Sequence, residues 1–201
     1  MKTNFTLILV LLSLQATLLG QVSFLPPSGD NQKCSVTQNI GSLVSITVDY
    51  HSPDVTGPDG QDRTGQIWGT PVAHYGMIDQ GFGTSKAAPW RAGANECTTI
   101  TFSHDVLIEG KPIQAGTYGL FLMLAENGPW TWIFSSNSTA WGSFFYDEKE
   151  DVLRVNTTPM DHPHTEWLTY TFTDRKPESA VLELQWELKS IPMHITVPHM
   201  N

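Results

Sequence analysis

The sequence predicts an all-β protein, an antiparallel β-sandwich with one long ordered loop over one end. Apolar and polar residues alternate in residues 43–50 and again in residues 97–103, which is the period of a half-buried strand. Turn-forming residues separate the other short apolar runs, and beyond the first 20 residues no stretch of ten or more carries the apolar period of a helix. Many short strands joined by turns form a sandwich or a barrel, and we choose the sandwich.

The N-terminus has the pattern of a cleavable signal sequence over residues 1–20. Lys2 precedes a short apolar run that ends at the small residue Gly20. The run is too short and too polar at its end to remain as a membrane span, and an N-terminal anchor is the alternative. We therefore expect a periplasmic or secreted protein. Residues 21–201 form a single β-sandwich domain, because a chain of this length fits one core.

The chain is acidic, with 20 Asp and Glu residues against 11 Lys and Arg residues and a formal net charge of −9. Loss of Lys2 with the signal sequence lowers the basic count to 10 and the net charge to −10. A surface of this sign repels nucleic acid and anionic lipid headgroups. We predict no nucleic-acid partner and no membrane span after signal cleavage, and the sequence leaves the oligomeric state open.

The two cysteines, Cys34 and Cys97, allow one disulfide. An oxidising compartment would permit the bond, which would close a loop of about 60 residues and stabilise the fold by about 4 kcal/mol. Two separately buried thiols are the alternative, because pairing cannot be deduced from sequence.

The remaining strands are expected where apolar or aromatic runs lie between turn signals. Pro159, Pro163, Pro177 and Pro192 punctuate the second half of the chain. The expected strands are residues 106–108, 117–124, 130–134, 142–146, 153–157, 166–172, 180–187 and 193–197.

Residues 52–89 do not fit the strand pattern. The segment is rich in Gly, Pro and Asp and has few alternating apolar residues. A loop of this length is uncommon in a compact domain unless it is functional or disordered. Because it holds Ile67, Trp68, Tyr75 and Phe82, we expect it to be ordered and packed over one end of the sandwich.

The string Trp90-Arg91-Ala92-Gly93-Ala94-Asn95-Glu96 resembles a motif of an exported family, common in Bacteroidota and catalogued as the domain of unknown function DUF2911. Further segments of the mature chain share the resemblance, namely residues 49–53, 98–102, 115–118, 141–144 and 151–155. The resemblance implies a β-rich fold and export, and it implies no activity.

The same string contains the strongest candidate site. Arg91, Asn95 and Glu96 bring three polar functions together just before a strand, and Trp90 precedes them. Arginine offers a planar fork for a carboxylate or sugar hydroxyls, asparagine both donates and accepts, and glutamate can act as acid or base. The alternative is structural, with Arg91 and Glu96 pairing with other groups to hold the long loop.

Aromatic residues of the long loop are candidate ligand contacts. Trp68, Tyr75 and Trp90 can each pack against the C–H face of a sugar ring, although a Trp in a sandwich is more often core. His51, at the end of an expected strand, is a further ligand-binding candidate and a partner for Glu96.

The sequence predicts no cofactor, and a divalent metal is the alternative for which it offers candidate ligands. His162, His164 and Glu166 recur at a spacing of two, which in an extended segment directs all three side chains to one face. Pro163 interrupts this segment and no second paired motif has zinc-like spacing, so surface or hydrogen-bonding histidines are the alternative.

Three functions are compatible with these features. The preferred one is a non-catalytic module that binds a small polar ligand, such as a glycan, at the end covered by residues 52–96. The first alternative is a structural or interaction domain of the cell envelope. The second is a hydrolase, either metal-dependent or with Glu96 as general base assisted by His51 or His164.

Overall fold

The computed structural model describes residues 31–198, so the signal sequence predicted at residues 1–20 lies outside the described part. The protein is a sandwich of two antiparallel sheets, which confirms the predicted fold class. Beyond the strands, a single 3-10 turn at Glu148–Glu150 is the helical element of the described residues. The strands are β1 Gln32–Ile40, β2 Val44–Ser52, β3 Thr99–Phe102, β4 Val106–Ile108, β5 Lys111–Ile113, β6 Gly116–Met123, β7 Trp130–Ser135, β8 Asp151–Thr157, β9 Met160–Lys176 and β10 Ser179–Thr196.

The larger sheet has the strand order β1-β2-β3-β6-β7-β8, and the smaller one has the order β5-β4-β10-β9. All neighbouring pairs in both sheets run antiparallel. Within residues 31–198 no helix is long and apolar enough to cross a membrane.

The main core lies between the two sheets. Alternate residues of β2, such as Ile46 and Val48, are fully buried in this core together with residues of β10, such as Leu182 and Leu184. A second, smaller cluster contains Phe121 and lies on the outer face of the larger sheet. The two clusters follow from the alternation of side chains in β6, which sends successive residues to opposite faces.

Residues 142–146 form a turn, so the strand predicted there is wrong. Gly142 has a φ of +56°, in the left-handed region that interrupts a strand. The Phe144 carbonyl accepts hydrogen bonds from the amides of Thr84 and Ser85, both at 3.0 Å. Phe144 and Phe145 pack edge to face against Phe82 of the long loop, whereas Tyr146 packs against Phe121 of β6.

Four strands differ most from the prediction, two in existence and two in length. β1 and β5 were not expected, because β1 is mostly polar and the β5 sequence has turn-forming neighbours. β9 and β10 run for 17 and 18 residues, and they continue through Pro163 and Pro192. Proline is tolerated outside a regular ladder. Pro163 lies opposite the register shift between Glu187 and Lys189, and Pro192 lies between the residues of β10 that pair with β9 and those that pair with β4.

Cys34 and Cys97 are free thiols, so the disulfide is not formed. Cys34 packs against the main core, whereas Cys97 belongs to the cluster on the outer face of the larger sheet. The sheet therefore separates the two side chains.

The long loop is ordered and packs over one end of the sandwich, as predicted. Ile67 and Ala73 are fully buried in the main core. Beyond the N-terminal start of β3, Trp90 forms a bridge to Leu122, and Tyr75 forms one to Leu124. The loop therefore closes the end of the sandwich where β6 finishes.

Candidate functional site

A cavity of about 740 Å³ lies where the long loop meets the sandwich. Three of the residues predicted from the sequence line it, namely Trp90, Arg91 and Asn95. Phe144 of the turn at 142–146 and Trp186 of β10 complete other parts of the wall. The cavity is thus built from two loops against the end of the smaller sheet.

The backbone of the Trp90–Asn95 string is held in a tight turn. Ala92 and Asn95 both have left-handed φ angles, of 50° and 56°. The Ala92 carbonyl accepts hydrogen bonds from the hydroxyls of Thr98 at 3.2 Å and Tyr170 at 2.9 Å. A Cβ atom on Gly93 would stand 2.7 Å from the Thr98 Oγ1, so this position needs glycine.

Arg91 is half-buried, with its guanidinium packed between the loop and the turn. Its Nη1 donates a hydrogen bond to the Asn95 carbonyl at 2.7 Å, and its guanidinium carbon lies 4.8 Å from the centre of the Phe144 ring. A Cβ atom on Gly142 would stand 2.5 Å from the same Nη1. These contacts fix the guanidinium at the cavity wall, and burial lowers the pKa of Arg91.

Trp68 and Tyr75, unlike Trp90, do not line the cavity. Trp68 makes ring contacts with Trp90 and Trp186, and its Nε1 donates to the Glu187 Oε2 at 3.1 Å. Tyr75 is 38% exposed and covers Gly69, where a Cβ atom would meet the ring. Of the three predicted aromatic contacts, Trp90 alone lines the cavity, and Trp68 supports it from behind.

His51 and Glu96 meet at a second cavity of about 420 Å³, away from Arg91. The His51 Nδ1 lies 3.3 Å from the Glu96 Oε2. Cys97 lines the same cavity, but burial raises the pKa of its thiol to about 12. The thiol is therefore protonated at neutral pH and does not serve as a nucleophile beside His51.

The predicted metal ligands do not come together as a set. His164 and Glu166 approach within 3.7 Å, but the Nδ1 of His162 contacts the Pro163 carbonyl at 2.7 Å and the Thr165 hydroxyl at 3.2 Å. Glu166 instead accepts a hydrogen bond from the Thr56 amide at 2.8 Å, which ties the long loop to β9. Residues 31–198 contain no group of three or more His, Cys, Asp or Glu residues that could hold a metal ion.

Two further cavity residues, His74 and Gln80, were not predicted from the sequence as ligand contacts. His74 is only 8% exposed, and its Nδ1 has no hydrogen-bonding partner among the described residues. Gln80 donates to the Ser143 hydroxyl at 2.8 Å and lies 3.5 Å from the His74 Nε2. Both are in the Gly- and Pro-rich loop, where no periodic pattern marks which side chains turn inward.

Acidification is expected to destabilise the fold through His74. Burial lowers the pKa of His74, and the charge of Arg91 acts in the same direction. The unfolded chain therefore binds a proton at His74 more readily than the folded protein does. The contribution of neutral His74 to the free energy of unfolding is fully present above about pH 6.5 and falls as the pH drops below that value. Urea unfolding at a series of pH values should show a flatter decline for His74→Gln than for the wild type. His104→Gln, at an exposed position, should keep the wild-type decline, and an unchanged slope in His74→Gln would contradict the assignment.

Residues 31–195 match the family model described as "Protein of unknown function (DUF2911)". No curated protein and no solved structure matches the chain.

Proposed function

The chain belongs to the DUF2911 family, whose function is unknown, and from its own cavity we propose that the protein is a non-catalytic module that binds a small polar ligand such as a glycan. The observation that carries the proposal is the cavity of about 740 Å³ with Arg91 and Asn95 beside Trp90. Ligand sites are typically concave spaces of roughly 300–1,000 Å³ with apolar walls and a few polar groups.

The chemistry of the wall fits a sugar-like molecule. Phe144 and Trp90, the latter 4% exposed, supply the apolar part of the wall, and a sugar ring presents C–H groups to such surfaces. His74, Gln80 and Asn95 supply side chains that donate and accept hydrogen bonds, which suits hydroxyl groups at the edge of the ring. We also propose that the protein acts in the periplasm or after secretion, on the basis of the signal pattern in residues 1–20.

Filling the cavity should abolish binding without loss of the fold. Ala94 lines the cavity, so Ala94→Leu places three extra carbon atoms in it. Ala87→Leu is the matched control, because Ala87 is an exposed residue of the same loop. Isothermal titration with neutral and acidic mono- and disaccharides should find a ligand for the wild type and for Ala87→Leu, with affinity lost in Ala94→Leu.

A second variant that fills the cavity keeps the test decisive if Ala94→Leu does not fold. Ile78 lines the cavity and is 38% exposed, so Ile78→Trp narrows the space from its edge. Thermal melting identifies which variants remain folded. Binding that survives in both folded variants, or a panel without any ligand for the wild type, would overturn the proposal.

A Glu- and His-based hydrolase is the second candidate function, and the contact between His51 and Glu96 favours it. Such a pair can accept a proton and return it. It lies at the smaller cavity, away from Arg91 and Trp90, so the two candidate functions involve different residues. A structural or envelope-interaction domain is the remaining alternative, and it becomes the preferred function if the cavity binds nothing.

A further inference from the structure

Arg91 differs from the other partly buried arginines in lacking an acidic partner. Arg63 approaches Asp54 at 3.9 Å, and Arg154 lies 2.6 Å from Asp151. Among the described residues, Arg91 makes a single hydrogen bond, to the Asn95 carbonyl, and has no carboxylate within 4.0 Å. A guanidinium has five N–H donors, so most of its capacity is unused.

An unpaired, half-buried cation is costly to the fold. Removing charge from water is unfavourable unless an opposite charge or hydrogen bonds compensate. The Phe144 ring compensates in part, because its face attracts the guanidinium. Gly142 and the Asn95 carbonyl hold the group in place, so the cation is oriented before any ligand arrives. Such an arrangement suits an oxyanion that enters the cavity and occupies the free side of the fork.

The other charges of the cavity favour a monoanion over a dianion. Asp54 and Asp79 line the same cavity, and each has its own cation, since Asp79 lies 3.1 Å from Lys86. The side chains of Asp54 and Asp79 would repel a bound phosphate dianion more strongly than they would repel a bound carboxylate monoanion. A carboxylate also matches the planar fork of arginine with two parallel hydrogen bonds.

We propose that Arg91 binds the carboxylate of an acidic sugar, such as a uronic acid, that occupies the cavity. The inference rests on the proposed function, which it narrows from polar ligands in general to carboxylate-bearing ones. Phe144 lies beside the guanidinium and, with Trp90, lines the cavity that the sugar ring occupies, while Arg91 selects the acid.

The test compares each acid with its neutral isostere on the full chain. Isothermal titration is run with glucuronate, galacturonate and mannuronate, with the methyl ester of each, and with the corresponding hexose 6-phosphates. A charge-assisted pair is stronger than a neutral hydrogen bond, so the preferred uronate should bind roughly 10-fold or more tightly than its ester. Arg91→Met should reduce that ratio to about one.

Two further variants separate the effect of the positive charge from that of the guanidinium geometry and control for the loss of an arginine elsewhere. Arg91→Lys keeps the charge but loses the fork, so the ratio should fall without disappearing. Arg175→Met, at an exposed arginine outside the cavity, should keep the wild-type ratio. If Arg91→Met does not fold, the wild-type ratio and Arg91→Lys still decide the question.

Each other outcome has a distinct meaning. Equal binding of uronate and ester overturns the carboxylate proposal and leaves the polar-ligand function standing. Tighter binding of the hexose phosphates overturns the choice of carboxylate, and a ratio that persists in Arg91→Met overturns the role of Arg91. Absence of any binding overturns both this inference and the proposed function.

Discussion

Glu187→Ala is expected to lower the free energy of unfolding by about 3 kcal/mol. Glu187 is only 3% exposed, and its carboxylate accepts three hydrogen bonds. The donors are the Gly65 amide at 2.8 Å, the Trp68 indole at 3.1 Å and the Leu188 amide at 2.8 Å. Alanine leaves these donors without an acceptor. Gly65 and Leu188 are exposed residues whose amides water can reach, whereas the half-buried Trp68 indole loses its partner.

The carboxylate reaches the long loop because the strand is irregular at this point. Trp186 and Glu187 are consecutive in β10, yet both are buried. Glu187 has a φ of 54°, and the β9–β10 register shifts on either side of it. A regular strand would send two successive side chains to opposite faces, so the irregularity re-aims Glu187 towards Trp68.

Glu109→Ala is the matched control for Glu187→Ala. Glu109 also has a left-handed φ, of 49°, and it accepts one hydrogen bond, from the His194 amide at 2.7 Å, at an exposed position. Its loss should cost less than about 1 kcal/mol. Thermal melting should separate the two variants by several degrees. A loss in Glu187→Ala no larger than in Glu109→Ala would show that the carboxylate does not hold the loop.

The sandwich could be predicted because its inner faces follow a two-residue period. The alternation of β2, with Ile46 and Val48 inward, is visible without any structure. β1 was missed because its outer positions and several inner ones are polar, and its pairing with β2 defines it instead. β10 was expected as two strands because Pro192 signals a break locally, whereas the burial of Ile191 and Met193 in the core keeps the chain extended there.

The candidate site could be predicted only in part. Arg91, Asn95 and Glu96 lie close together along the chain, and the sequence therefore predicted that they form one site. The left-handed conformation of Asn95 turns the chain there, so Arg91 lines the larger cavity and Glu96 lines the smaller one with His51. Backbone conformation at a single residue, which sequence patterns do not report, therefore divides the predicted site.

Trp186→Ala is expected to cost about 4 kcal/mol, the range found for deleting a large buried aromatic side chain. Trp186 is fully buried, and its ring is nearly parallel to that of Trp90, with the two centroids 6.0 Å apart and an interplanar angle of 11°. It also meets Trp68 edge to face at 5.7 Å. Removing the indole opens a void in the cavity wall and takes away the support for Trp90.

Trp186→Phe should be much milder, because the Trp186 indole Nε1 has no hydrogen-bonding partner among residues 31–198. Trp132 is the matched control, since it is equally buried but its Nε1 donates to the Pro192 carbonyl at 3.2 Å. Both phenylalanine variants lose similar ring area, and Trp132→Phe loses a hydrogen bond as well, which adds about 1 kcal/mol. Urea unfolding of the four variants with Phe or Ala at the two positions measures these differences. A Trp186→Phe loss equal to that of Trp186→Ala would mean that the ring contacts with Trp90 and Trp68 do not stabilise the cavity wall, because phenylalanine retains an aromatic face there.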